Sequence, residues 1–81
     1  MSEKNSIPNK TLNCIGFACP IPVLKTKYEI DKLAFGEILE VLADDPAAEK
    51  DIPTLIKSIG QELLEVKKAG FKTIFLIKKV K

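Results

Sequence analysis

Only three residues, Ala69-Gly70-Phe71, separate two late stretches that both read as strands, "ELLEVKK" (62–68) and "KTIFLIKKV" (72–80). A connection that short leaves no room for a parallel crossover, so the pair must form an antiparallel hairpin. Everything upstream has to fit beside it. "TLNCI" (11–15) reads as a first strand, with Leu12 and Cys14 on one face and Thr11, Asn13 and Ile15 on the other, ended by Gly16. From Pro20 to about Leu33 the pattern is helical: Val23, Ile30 and Ala34 form the stripe, with Pro20, Leu24 and Leu33 at its edges. Lys27 interrupts this stripe and has to lay its stem on the core rim while the ammonium reaches water. After a turn at Gly36, residues 37–43 form a strand with Leu39, Val41 and Ala43 on one face and Ile38, Glu40 and Leu42 on the other. Being apolar at most positions it is expected to be central, and strand-helix-strand in this order predicts a parallel, right-handed crossover.

The second helical region is "DDPAAEKDIPTLIKSIG" (44–60). Asp45 before Pro46 is a good helix start, but Pro53 lacks the N–H that Glu49 would receive in one continuous helix. The expectation is an initial turn over 46–50, then a main helix capped by Asp51, carrying Ile52, Leu55, Ile56 and Ile59 and closed by Gly60. The order is βαβαββ. Two helices with one apolar stripe each and strands with one strongly apolar face predict an α+β, two-layer sandwich, with a mixed four-stranded sheet and both helices on one face. Residues 1–10 read as a flexible tail and 11–81 as a single domain, consistent with the modest core that 81 residues can bury.

Composition removes several function classes. With 13 basic and 11 acidic residues the net charge is +2, and every basic residue is lysine, so nothing announces a nucleic-acid interface built on arginine forks. Histidine is absent, which excludes Cys-His and Ser-His nucleophiles and His-ligated metals. The opening "MSEKNSIPNK" has no apolar signal core and no later run is long enough to span a bilayer, so a soluble cytoplasmic protein is expected. Two cysteines, Cys14 and Cys19, are too few for a secreted disulfide framework and lack paired CxxC spacing, and no metal site is expected.

Cys19 stands directly before a proline in "GFACPIPVL" (16–24). A following proline drives a residue toward extended angles, the geometry of a helix N-cap, with Pro20 at the first helical position and Pro22 within the first turn. The nearest N–H groups then belong to Ile21 and Val23. With the positive end of the helix dipole they would favour a thiolate and lower the Cys19 pKa. Two readings of Cys19 stand side by side on residue chemistry alone: a reactive thiol at a rigid helix start, or a small buried hydrophobe. Cys14 shares a strand face with Leu12 and reads as core, and five residues of spacing neither demand nor forbid a Cys14–Cys19 disulfide.

"LNCIGFACPIPVLKTK" and "GEILEVLADDPAAEKDIP" together resemble the TusA-type, or SirA-like, sulfur carrier family: a first strand, Leu-(Asp or Asn)-x-x-Gly, Cys-Pro-x-Pro leading a helix, then a second strand and the opening of a second helix. The resemblance covers about residues 11–80. It implies a βαβαββ sandwich like the C-terminal domain of translation initiation factor three. It also implies a persulfide on Cys19, with Pro20, Pro22 and Gly16 shaping the site. Asn13 stands where the family often has aspartate, Cys14 receives no role, and Asp44 and Asp45 read as helix caps. A cysteine desulfurase or rhodanese-like protein is the implied donor, and a further protein, as in tRNA thiolation or cofactor assembly, the acceptor. No cofactor is implied, and the protein reads as a sulfurtransferase-type carrier without independent turnover. Two alternatives remain: an RNA- or DNA-binding module using Lys67, Lys68, Lys72, Lys78, Lys79 and Lys81, or a redox regulator pairing Cys14 with Cys19.

Overall fold

The two strands of the hairpin lie side by side, but the first of them takes the rim of the sheet and the second turns inward. In the computed structural model, which describes residues 7–81, the last strand is inserted at the centre. The elements are β1 (Lys10–Cys14), α1 (Ile21–Asp31), β2 (Ile38–Ala43), α2 (Pro46–Ser58), β3 (Glu62–Ala69) and β4 (Lys72–Lys78). The sheet order is β1-β2-β4-β3, with β1 and β2 parallel and the other pairs antiparallel. This is the expected α+β mixed sheet. The reason β2 and β4 take the centre is visible in their residues: each alternates a fully buried position with a half-buried one along its whole length. β3 carries Glu62, Glu65, Lys67 and Lys68 and tolerates an edge.

The helices cover the face bearing Cys14, Leu39, Val41, Ala43, Phe75 and Ile77, against which Ile30, Leu33, Ala48, Ile52 and Ile56 pack. Phe75 lies opposite Val41 on one side and Val66 on the other. Glu49 ties α2 to the hairpin by accepting hydrogen bonds from the Lys68 ammonium and, at 3.1 Å, from the Thr73 hydroxyl. These contacts hold its carboxyl below the usual range, the Lys68 bond contributing most.

Three local expectations are corrected. The buried stripe of α1 is Pro22, Thr26, Ile30 and then Leu33, so the helix is turned by one residue from the expected Val23, Ile30 and Ala34; Val23 is only partly buried and Ala34 is exposed. That rotation puts Lys27 in water, 3.3 Å from the Asp31 carboxylate, and buries Thr26, whose hydroxyl has no partner among the described residues. Second, α2 is a single helix through Pro53, so Asp51 lies inside it and caps nothing. Losing one N–H donor is outweighed by the continuous stripe Ala48, Ile52 and Ile56. Third, β1 starts at Lys10 and stops at Cys14, leaving Ile15 outside. Of the expected tail, residues 1–6 lie outside the described residues. Asn9 is tied to Ile38 by two hydrogen bonds of 2.8 Å, and Lys10 reaches Glu29 of α1 at 2.8 Å.

Cys14 has no exposed surface, and its thiol is pushed up by burial, with a weaker opposing pull from the Lys25 charge. Cys14→Ala is therefore expected to cost about 1 kcal/mol, the scale of a small core truncation. Chemical denaturation would check this, and an unchanged stability would contradict a core-packing role.

Candidate functional site

The loop between β1 and α1 is held by side chains from the start of α2. Gly16 has φ of 90°, a conformation that glycine alone adopts without strain, and nothing lies within 4 Å of where a Cβ would stand. Backbone geometry, not crowding, therefore requires a glycine there. The Gly16 N–H donates to Asp44 Oδ1 at 3.0 Å, the Ile15 N–H to Asn13 Oδ1 at 2.9 Å, and the Phe17 N–H to the Cys14 carbonyl at 3.1 Å. Asp45 is the N-cap residue of α2, yet its side chain makes no capping bond; Oδ2 instead accepts the Cys19 N–H at 3.3 Å. The adjacent aspartates, expected as helix caps, thus act mainly as anchors for the cysteine loop.

Cys19 is half-buried, and its Sγ donates to Asp51 Oδ2 at 2.9 Å. The thiol is pushed up to about 11, first by that hydrogen bond, then by loss of hydration and by the negative charges of Asp51 and Asp45. The expected lowering is overturned. A carboxylate that accepts the S–H proton stabilises the neutral form, and two nearby negative charges oppose a third.

The helix start also differs. The N-cap position is Pro20, not Cys19, and the Cys19–Pro20 peptide is cis. The Leu24 N–H binds the Pro20 carbonyl at 3.0 Å, so helical bonding begins one residue later than expected. The Ile21 N–H is occupied by the Ala18 carbonyl at 3.0 Å, which removes it as a donor for the sulfur. Val23 remains in the first turn without a backbone acceptor among the described residues, its side chain packed against the core. Pro22 is buried, so its ring is core as well as a shaping element, whereas Pro20 is exposed.

The chain thus brings together Cys19, Asp45 and Asp51 around one sulfur, with Gly16 and Asp44 fixing the approach. Asp51 was not legible as a site residue because Pro53 argued for a helix broken before it. Read as one helix from Pro46, α2 places Asp51 on the flank of the Ala48–Ile52 stripe, beside α1. Cys14 stays in the core and both thiols are free, so the two cysteines are not paired. Of the six lysines considered for nucleic acid, Lys68 binds Glu49, and Lys79 donates to the Ile30 and Asp31 carbonyls at the end of α1.

A depression of about 410 Å³ lined by Pro53, Ile56, Lys57, Gln61, Glu62 and Leu63 lies along the second half of α2, away from Cys19. The sulfur is instead flanked in the chain by exposed apolar side chains, Phe17, Ile21 and Leu24, with 40–59% of their surface open. That is a surface suited to a docking protein more than to an engulfed small molecule.

A family model described as sulfurtransferase TusA matches residues 10–79. A putative sulfur carrier protein of Archaeoglobus fulgidus is 52% identical over 59 residues, 73% of this chain and 77% of that protein. The sulfur carrier protein TusA of Allochromatium vinosum is 39% identical over 71 residues, 88% of this chain and 93% of the other. The crystal structure of a SirA-like protein from Desulfitobacterium hafniense superposes with a TM-score of 0.77 over 89% of this chain and 99% of that one, at 22% identity, a likeness of fold.

Proposed function

Because the chain belongs to the sulfurtransferase TusA family, we propose that Cys19 is the residue on which it carries sulfur. The protein is a sulfur carrier, and such a carrier meets a donor and an acceptor protein in turn. The observation that supports Cys19 is its position: it is the thiol with open surface, on a loop pinned from two aspartates, whereas Cys14 is sealed in the core.

In the reaction, Cys19 Sγ attacks the outer sulfur of a donor persulfide, R–S–SH. A new S–S bond forms to Cys19 as the donor's S–S bond breaks. Its electron pair goes to the inner donor sulfur, and the Cys19 proton ends on that departing thiolate, giving Cys19–S–SH and R–SH with no net redox change. An acceptor thiol then takes the outer sulfur by the same exchange and returns Cys19–SH. A cysteine desulfurase or a rhodanese-like protein would present such a persulfide, and tRNA thiolation or cofactor assembly would consume it. The exchange belongs in a reducing cytoplasmic setting, where unpaired thiols persist. Among the described residues no helix is long and apolar enough to cross a membrane.

Incubation with a cysteine desulfurase and cysteine, followed by intact mass measurement without reductant, should show one added sulfur atom that reductant removes. Peptide mapping should place it on Cys19. Its location on Cys14, or no uptake from several competent donors, would overturn the assignment.

A further inference from the structure

The contact between Cys19 and Asp51 does more than hold a side chain, because it distinguishes the empty carrier from the loaded one. In the empty state Sγ bears a proton and donates it to Asp51 Oδ2 at 2.9 Å. In the loaded state Sγ is bonded to a second sulfur and has no proton to donate, so the same approach sets a carboxylate oxygen against sulfur lone pairs. The outer sulfur lies about 2.0 Å beyond Sγ. A hydropersulfide ionises more readily than a thiol, since its charge is placed next to another sulfur, and the anion then faces Asp51 and Asp45. We propose that Asp51 is a positioning residue that acts as a latch: it holds Cys19 as a neutral thiol in the empty carrier and repels the anionic persulfide in the loaded one, favouring release of sulfur to an acceptor. The proposal rests on the sulfur-carrier reading of Cys19.

The surroundings agree from each side. From α2 and its cap the groups facing Cys19 are Asp51 and Asp45, both acidic. Asp44, beside them, is engaged by the Gly16 N–H. On the α1 side the nearest charge along the chain is Lys25, whose ammonium lies 5.2 Å above the Phe17 ring. It is not among the groups that act on the Cys19 thiol, which is raised by Asp51 first and by Asp45 last. The helix start offers little to offset these charges, because the Ile21 N–H is bound to Ala18. The latch also has a consequence for loading. An isolated carrier is slow toward small electrophiles, and a donor that brings a cation to Asp51 frees the thiolate at the moment of contact.

The test uses the full chain with Asp51→Asn, which keeps size and hydrogen bonding but removes the charge, and with Asp45→Asn for comparison. Asp51 is exposed, so an unchanged melting temperature is expected. Alkylation of the reduced protein with iodoacetamide across pH should give a midpoint near 11 for Cys19 in the wild type. Asp51→Asn should show a lower midpoint, with a rate at pH 8 raised by about tenfold or more, and Asp45→Asn a smaller change. After loading with glutathione persulfide, the share of outer sulfur passed at equilibrium to a small thiol should be smaller for Asp51→Asn than for the wild type, because the carboxylate no longer stabilises the emptied thiol or repels the persulfide anion. Equal alkylation midpoints, or an equal partition of sulfur, would overturn the latch. Because alkylation does not depend on sulfur carriage, a shifted midpoint in a protein that never loads would refute the carrier reading instead, and the release half of the latch with it.

Discussion

Cys19→Ser is expected to abolish sulfur uptake, while Cys14→Ala retains it in every folded molecule. The two residues differ in access before they differ in chemistry. Cys19 is half-exposed on a loop whose backbone is bound by Asp45, whereas Cys14 ends β1 with no accessible surface and is packed among Ala43, Val41 and the helices. Serine in place of Cys19 can still donate to Asp51, so the loop should keep its shape and the melting temperature should move little. What disappears is the sulfur nucleophile, because an alkoxide at this position would be far too basic to form near neutrality. Intact mass after treatment with a persulfide donor measures the outcome directly. Persistent loading in Cys19→Ser would move the chemistry elsewhere. Loss of loading in a folded Cys14→Ala would give the core cysteine a role that its burial argues against.

The largest effect on stability is expected from Phe75→Ala. Phe75 is fully buried in the central strand β4, between Val41 of β2 and Val66 of β3, with both helices across the same face. Truncating a phenylalanine in such a place costs about 3–5 kcal/mol, through lost transfer energy and the cavity left behind. Small domains have only about 5–15 kcal/mol in total. For a domain of this length that corresponds to a fall in Tm of roughly 12–40 °C. Phe71→Ala is the natural comparison, because that ring is 74% exposed in the hairpin turn, and its loss should stay within about 0.5 kcal/mol. Thermal unfolding followed by circular dichroism measures both. Similar losses for the two variants would mean that the core is not organised around β4.

Much of the architecture was readable from local pattern. The alternation of Leu39, Val41 and Ala43 survives as the buried face of the central strand β2. The short Ala69-Gly70-Phe71 gap is a hairpin, as its length requires. Errors came where two weak signals competed. In α1 a threonine and a lysine sit side by side at positions 26 and 27, and the pattern of aliphatic residues alone chose the wrong one to face inward. In α2 a proline in mid-helix argued for a break, but its cost of about 3 kcal/mol is outweighed by burying Ala48, Ile52 and Ile56 on one continuous stripe.

The element order, the hairpin, the apolar faces and the Cys-Pro-x-Pro segment that marks Cys19 follow from the chain alone, since each depends on residues near one another in it. Composition also determined which chemistry was absent, because a chain without histidine or arginine cannot use either. The electrostatics of the sulfur arise from folding instead. The local reading put Cys19 at the positive end of α1, whereas folding places it 2.9 Å from a carboxylate 32 positions later and within reach of another 26 positions later. A helix terminus acts through partial charges on N–H groups, one of which is already bound to Ala18. A full negative charge in direct hydrogen-bond contact outweighs them, and that contact exists only once α2 has packed beside α1.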